Sequence, residues 1–296
     1  MRRFAFVALL VLAVVVAGCT TGTPTAAPTQ AASEATSAPA KQEATSAPDE
    51  SGTTISVAGS TTVQPLAEKL ATAYRAIHPN VEVTVQGGGS SVGVKSAAQG
   101  TADIGAASRE VKQSELDEFP NLNVITIARD GIAIVAHPDV AVDDLTIEQV
   151  QDIFSGKITN WSEVGGADSL ITVVSREEGS GTRGAFEEMV MGEEALIAGT
   201  AILQQSNGAV RTTIATTPNS IAYLSFGYLD DSVKTIKVGG VAPTEENAAN
   251  GSYSIVRPLN MLTSGEPQGA VKAWLEYILS PEGQETVVAE GYLRVN

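Results

Sequence analysis

Hydrophobic and polar positions follow two periods along this chain. Thr54–Ala58 and Val81–Val85 carry apolar side chains at every second position, which predicts strands. Between them, Leu66, Leu70, Ala73 and Ile77 recur at helical spacing after Pro65. A glycine-rich turn leads to a predicted helix over Ser91–Gln99, and Ala102–Ala106 reads as a third short strand. This βαβαβ order argues for an α/β layered domain with parallel strands. Val124–Ala128 and Ile132–Ala136 are two adjacent strand-like runs, separated by Arg129-Asp130-Gly131, and suit a crossing point between domains. Further on, Leu145–Phe154 reads as helix, Leu170–Val174 as strand, Phe186–Met191 as a continuing helix and Ser220–Leu224 as strand. Near the end, Val271, Trp274, Leu275, Ile278 and Leu279 mark one helix face.

The N-terminal segment follows neither period. Arg2 and Arg3 precede an unbroken apolar run from Phe4 to Ala17, which ends in Val16-Ala17-Gly18-Cys19. A positive start, a short apolar run and small residues before a cysteine predict a secretory signal over residues 1–18. The run is shorter than the roughly 20 residues a membrane span needs. Its end resembles the lipobox of bacterial lipoproteins, which would make Cys19 the acylated first residue of the mature chain. Cys19 is also the only cysteine, so no internal disulfide and no cysteine-based metal site can form. Residues 19–52 hold almost nothing to bury and predict a disordered tether behind a lipid anchor.

Charge narrows the partners. The chain carries 34 acidic against 18 basic residues, a net charge of −16. That argues against nucleic acid. It does not exclude an anionic ligand, because affinity depends on local donors rather than on net charge.

Four loops place small hydroxyl residues and glycines after a strand: Gly59-Ser60-Thr61-Thr62, Gly87-Gly88-Gly89-Ser90-Ser91, Gly105-Ala106-Ala107-Ser108-Arg109 and Gly179-Ser180-Gly181-Thr182. A helix start leaves backbone N–H groups unpaired and partly positive, so it attracts anions. Ser and Thr add neutral donors, and Arg176 can add a planar fork. Hydrogen bonds to charged groups contribute roughly 1.5–3 kcal/mol each. Micromolar binding needs only about 8 kcal/mol net. Each serine or threonine can equally be an N-cap, through a different atom.

Five segments carry a family resemblance: Gly59–Ala67, Gly87–Gly93, Ala102–Arg109, Ile153–Trp161 and Ser175–Arg183. Together they resemble the substrate-binding protein of the phosphate ABC transporter, over nearly all of the chain after the tether. The resemblance implies a two-lobe α/β periplasmic-binding-protein fold of type II, with a ligand cleft between the lobes and two hinge crossings. One lobe would combine residues 53–128 and 255–296, and the other would span 129–254. The hinge would lie near Arg129-Asp130-Gly131 and Val256-Arg257-Pro258. The implied ligand is inorganic phosphate, bound by Thr61, Thr62, Ser90, Ser108, Arg176, Ser180, Gly181 and Thr182. Glu178 would orient Arg176, and Arg109 would pair near the cleft. Trp161 reads as core. The implied partners are the permease subunits of an ABC importer, met by a monomer held outside the cytoplasmic membrane. No cofactor is implied. One departure stands out: some members carry an aspartate at the position of Ser108, where it accepts the phosphate proton and helps exclude sulfate.

Other readings remain open on residues alone. Another oxyanion, such as sulfate, molybdate or tungstate, or a sensory role, fits the same donors. Gly89–Gly93 also fits the G-x-S-x-G pattern of a serine hydrolase, with Ser91 as nucleophile and His137 as base, but the run of glycines and the lack of other hydrolase signals argue against an enzyme. The two histidines, His78 and His137, lack metal-ligand spacing.

Overall fold

The computed structural model describes residues 52–192 and 196–295. The expected signal segment, the lipidated Cys19 and the tether up to residue 51 lie outside the described residues. The strands are β1 (Thr53–Gly59), β2 (Val81–Gly87), β3 (Ile104–Ala107), β4 (Leu122–Ala136), β5 (Asp144–Leu145), β6 (Thr172–Arg176), β7 (Ile202–Gln204), β8 (Ser220–Ser225), β9 (Lys234–Val238) and β10 (Val256–Ser264). Their hydrogen-bonded path runs β2-β1-β3-β10-β4-β8-β6-β7. β2, β1 and β3 are parallel, as the βαβαβ order requires, and β10 closes this half antiparallel to β3 and β4.

β4 is shared by both halves. Its first part, Leu122–Gly131, pairs with β10. Its last part pairs with β8 through Ile132–Ala136 and with β9 through Ile134–Ala136. The two runs expected on either side of Arg129-Asp130-Gly131 are therefore one continuous strand. The polar interruption does not break it, because Asp130 and Arg257 face each other in the β4–β10 register and bond directly. Leu145 also differs from expectation: it belongs to β5, and the helix begins at Ile147 behind a capping box of Thr146 and Gln149. The helix Gly181–Phe186 changes to a π-helical turn over Glu187–Met191.

Two apolar cores flank the shared strand. In the first, the helix Val63–Ile77 buries Val63, Leu66, Ala67, Leu70 and Tyr74 against Ile55, Val57 and Ile104, under Trp274, Leu275 and Ile278. In the second, Ile132–Ala136 meets Phe154, Trp161, Phe186 and Tyr223, with the Phe186 and Tyr223 rings stacked at 4.1 Å. Trp161 belongs to this core, 1% exposed, and its indole N–H donates to the Asn219 carbonyl.

One close approach positions the ligand loops. The helix Ser90–Ala98 lies so near β3 that a Cβ on Gly93 would stand 2.2 Å from the Ala106 carbonyl oxygen. Only glycine fits there. This accounts structurally for the second glycine of the G-x-S-x-G pattern.

Candidate anion-binding site

The cradle is assembled at strand ends and helix starts. After β1, Ser60 caps the following helix: its Oγ accepts the Thr62 and Val63 N–H groups at 3.1 and 3.2 Å. Ser60 takes the capping role, so the Thr61 and Thr62 hydroxyls do not cap. Ser90 stands on the first turn of its helix, and its Oγ accepts the Ser108 N–H at 3.0 Å, which joins the second and third loops. Both serines are buried. In the fourth loop Ser180 is a true N-cap, its Oγ accepting the Arg183 N–H at 3.3 Å. The first-turn N–H groups of Gly181 and Thr182 have no acceptor within their own helix.

These loops meet. Thr62 Oγ1 and Thr182 Oγ1 lie 3.2 Å apart, though 120 positions separate them. The Ser91 N–H donates to the Gly179 carbonyl. At Gly181 a Cβ would stand 2.1 Å from Ser90 Oγ and 2.5 Å from Ser108 Oγ. Residues from both halves therefore meet: Thr62 with Thr182, Gly181 with Ser90 and Ser108, and Thr61 with Arg176. Ser180 is adjacent, with its hydroxyl committed to the cap.

Arg176 ends β6 and is 1% exposed. Its Nε donates to the Gln204 carbonyl at 2.9 Å and to Glu177 at 3.2 Å. Its Nη2 donates to Glu177, to the Gln205 carbonyl and to Thr61 Oγ1. Its Nη1 is buried without a partner. A guanidinium fixed on one side, with an unsatisfied donor on the other, fits an anion oxygen. The carboxylate that orients it is Glu177, where Glu178 was expected. Glu178 instead lines an outer cavity of about 330 Å³, with Ser91, Arg109 and Arg183.

Arg109 pairs structurally. Its fork binds both oxygens of Glu115 at 2.8 Å and donates to Ser91 Oγ at 3.2 Å. Burial raises the Glu115 carboxyl, but Arg109 and the Lys112 N–H more than offset this and hold it below the usual range. Among the described residues the bond to Ser91 Oγ comes from Arg109, and His137 lies against Asp139.

Five further residues of the site were not anticipated as ligands or supports. Asn207, fully buried, donates through Nδ2 to Thr62 Oγ1 at 2.8 Å and lies 3.5 Å from Thr182 Oγ1. Arg257 donates through Nη2 to Thr62 Oγ1 at 3.1 Å and through Nη1 to the Ser108 carbonyl at 2.9 Å. Asp130 holds Arg257 at 2.8 and 3.0 Å and accepts the Phe226 N–H. Burial raises the Asp130 carboxyl despite the arginine beside it. Tyr228 and Tyr292 donate to the Thr61 and Thr62 carbonyls at 2.6 and 3.0 Å. The available signal was an arginine before a proline, facing an Arg-Asp-Gly run. That pairing was read only as a hinge.

The electrostatics follow. Arg176, Arg257 and Arg109 are each matched by a carboxylate: Glu177, Asp130 and Glu115. The cradle therefore offers hydroxyl, amide and guanidinium donors with little net charge, in keeping with a strongly acidic protein.

Most of the chain matches known proteins in the same sense. The model of the PBP superfamily domain matches residues 29–282. A phosphate-binding protein PstS of Bacillus subtilis is 34% identical over 243 residues, covering 81% of this chain and 80% of that protein. The chain belongs to the PstS family. Another PstS, from Borreliella burgdorferi, is 29% identical over 81% of this chain and 90% of its own length. Among solved structures, a putative phosphate ABC transporter substrate-binding protein from Clostridium perfringens, with bound phosphate, superposes with a TM-score of 0.79. It is 40% identical and covers 82% of this chain and all of its own. An ABC-type phosphate transport receptor from Vibrio cholerae gives 0.68 at 36% identity, covering 81% of this chain and 99% of its own. The two-lobe periplasmic-binding-protein fold of the PstS family is thus the fold of this chain. Among the described residues no helix is long and apolar enough to cross a membrane.

Proposed function

We propose that this chain captures inorganic phosphate outside the cytoplasmic membrane and hands it to the permease subunits of an ABC importer. The observation that carries this reading is Arg176 Nη1. It is a buried, unpartnered donor on an arginine whose Nη2 reaches Thr61 of the other half, in a chain of the PstS family. The ligands are Thr61, Thr62, Ser90, Ser108, Arg176, Gly181 and Thr182, with Ser180 as the cap that fixes the last two. Residues 53–128 and 255–296 move as one lobe and 129–254 as the other, flexing where β4 and β10 cross. Closure brings Thr62 against Thr182 and buries the anion. Lipid on Cys19 and the tether keep the monomer at the membrane.

Isothermal titration of the purified protein, freed of bound anion, tests the ligand. Phosphate binding at micromolar concentration or tighter, with no response to sulfate, is the expected result. Equal response to both anions would make it a general oxyanion receptor, and no response to either would remove the reading. Mass spectrometry of the N-terminal peptide tests the anchor: it should begin at Cys19 and carry acyl mass, and a free N-terminus elsewhere would refute it.

A further inference from the structure

Hydrogen bonding around Thr62 fixes which way each proton points. Thr62 Oγ1 receives a bond from Arg257 Nη2 at 3.1 Å and another from Asn207 Nδ2 at 2.8 Å. A hydroxyl oxygen accepts two bonds, so both lone pairs are used and its own proton is left to donate. Its acceptor is Thr182 Oγ1, 3.2 Å away, or an unprotonated anion oxygen. Thr61 Oγ1 already accepts from Arg176, and Ser90 Oγ from the Ser108 N–H. Each keeps one lone pair, so the cradle's free acceptors are hydroxyl oxygens that also carry a proton to donate.

Asn207 supplies an acceptor that carries no proton. Its amide nitrogen is committed to Thr62, within 3.5 Å of Thr182, and its Oδ1 is buried with no donor facing it. A buried acceptor without a partner is costly, and the cost disappears when a donor arrives. Phosphate near neutral pH carries at least one proton and brings that donor. Sulfate carries none, and would set an anion oxygen against the amide lone pairs. We propose that Asn207 is a specificity-determining residue, whose amide oxygen accepts the proton of bound phosphate in a chain that has serine at position 108.

The inference rests on this cleft being the phosphate site, and the two fail separately. If the wild-type protein does not bind phosphate, the site reading falls. If it does, titrations of Asn207→Ala and Asn207→Asp with phosphate and sulfate at pH 6 decide the role of Asn207, with circular dichroism to verify folding. Asn207→Ala should lose about tenfold in phosphate affinity, and its phosphate-to-sulfate ratio should fall by at least about tenfold. Asn207→Asp keeps the shape and the acceptor. It should hold phosphate within about tenfold of wild type and reject sulfate at least as strongly. An unchanged ratio in Asn207→Ala would overturn the proposal. So would loss of phosphate binding in a folded Asn207→Asp, since the amide would then be donating to the anion. Should Asn207→Ala not fold, the Asp variant decides alone.

Discussion

Arg257 Nη2 and Thr62 Oγ1 lie 3.1 Å apart although 195 positions separate them. That bond ties the strand crossing to the anion cradle. On its other side Arg257 is held by Asp130, midway along the strand that both halves share, and Asp130 also takes the Phe226 N–H. Structural support and ligand site are thus one hydrogen-bonded unit.

Breaking this pair should be costly and pH-dependent. Arg257→Met leaves Asp130 charged, buried and alone, an effect of about 3–5 kcal/mol. Burial already raises the Asp130 carboxyl, so in the variant it takes up a proton readily. The loss should therefore be smaller at pH 5 than at pH 8 in urea unfolding. Adding Asp130→Leu should recover much of the stability, though not anion affinity. A double variant no more stable than the single one would contradict this account.

Arg176→Ala removes the buried fork and leaves Glu177 facing the cradle. Phosphate affinity should fall by about 2–5 kcal/mol. Arg176→Lys keeps the charge but not the planar geometry, and should recover only part of that. Titration calorimetry with both variants would show it, and wild-type affinity in either would refute the assignment of Arg176.

Gly181→Ala tests closure directly. Gly181 is not among the glycines with positive φ, so alanine is tolerated by its backbone. Its Cβ, however, would meet Ser90 and Ser108 oxygens at 2.1 and 2.5 Å. The variant should fold normally and yet bind phosphate about 100-fold more weakly, near 2.7 kcal/mol. X-ray scattering should show it remaining open when phosphate is added. Compaction equal to wild type would argue against the steric account.

Alkaline stability should depend on several phenols raised by burial, among them buried Tyr223 and half-buried Tyr228. Burial pushes Tyr223 and Tyr228 up to about 12, from 10 in an unfolded chain. A raised acid keeps its proton in the folded state while the unfolded chain ionises. Its contribution is complete below pH 10 and lost as pH rises toward 12. Tyr223→Phe should flatten that slope in urea titrations between pH 9 and 11. It should also lower stability at neutral pH by about 1–3 kcal/mol, because Ser175 and the Arg176 N–H lose their partner. An unchanged alkaline slope would count against the assignment.

Much of the fold was readable from local pattern. Ile55 and Val57 alternate as expected and are buried, and Leu66 and Leu70 fall on the buried face of their helix. The four small-residue segments were readable too, three of them at helix starts and Gly105–Arg109 at the end of β3. Which hydroxyl caps and which faces the ligand was not readable. Ser60 caps and frees Thr62, whereas Ser180 is itself the cap. Neighbouring Glu177 and Glu178 are indistinguishable in sequence, and only the turn before Gly179 decides that Glu177 meets Arg176.

The sequence by itself determined the α/β order, the acidic balance and the residue types of the cradle, because these depend on composition and on periods of two to four residues; the family rests on the resemblance of five longer motifs. The tertiary structure alone decided that Arg257, Asp130, Asn207, Tyr228 and Tyr292 support that cradle. Their partners lie between 96 and 230 positions away. A side chain's type limits what it can bond, but only packing brings distant partners within about 3 Å of it.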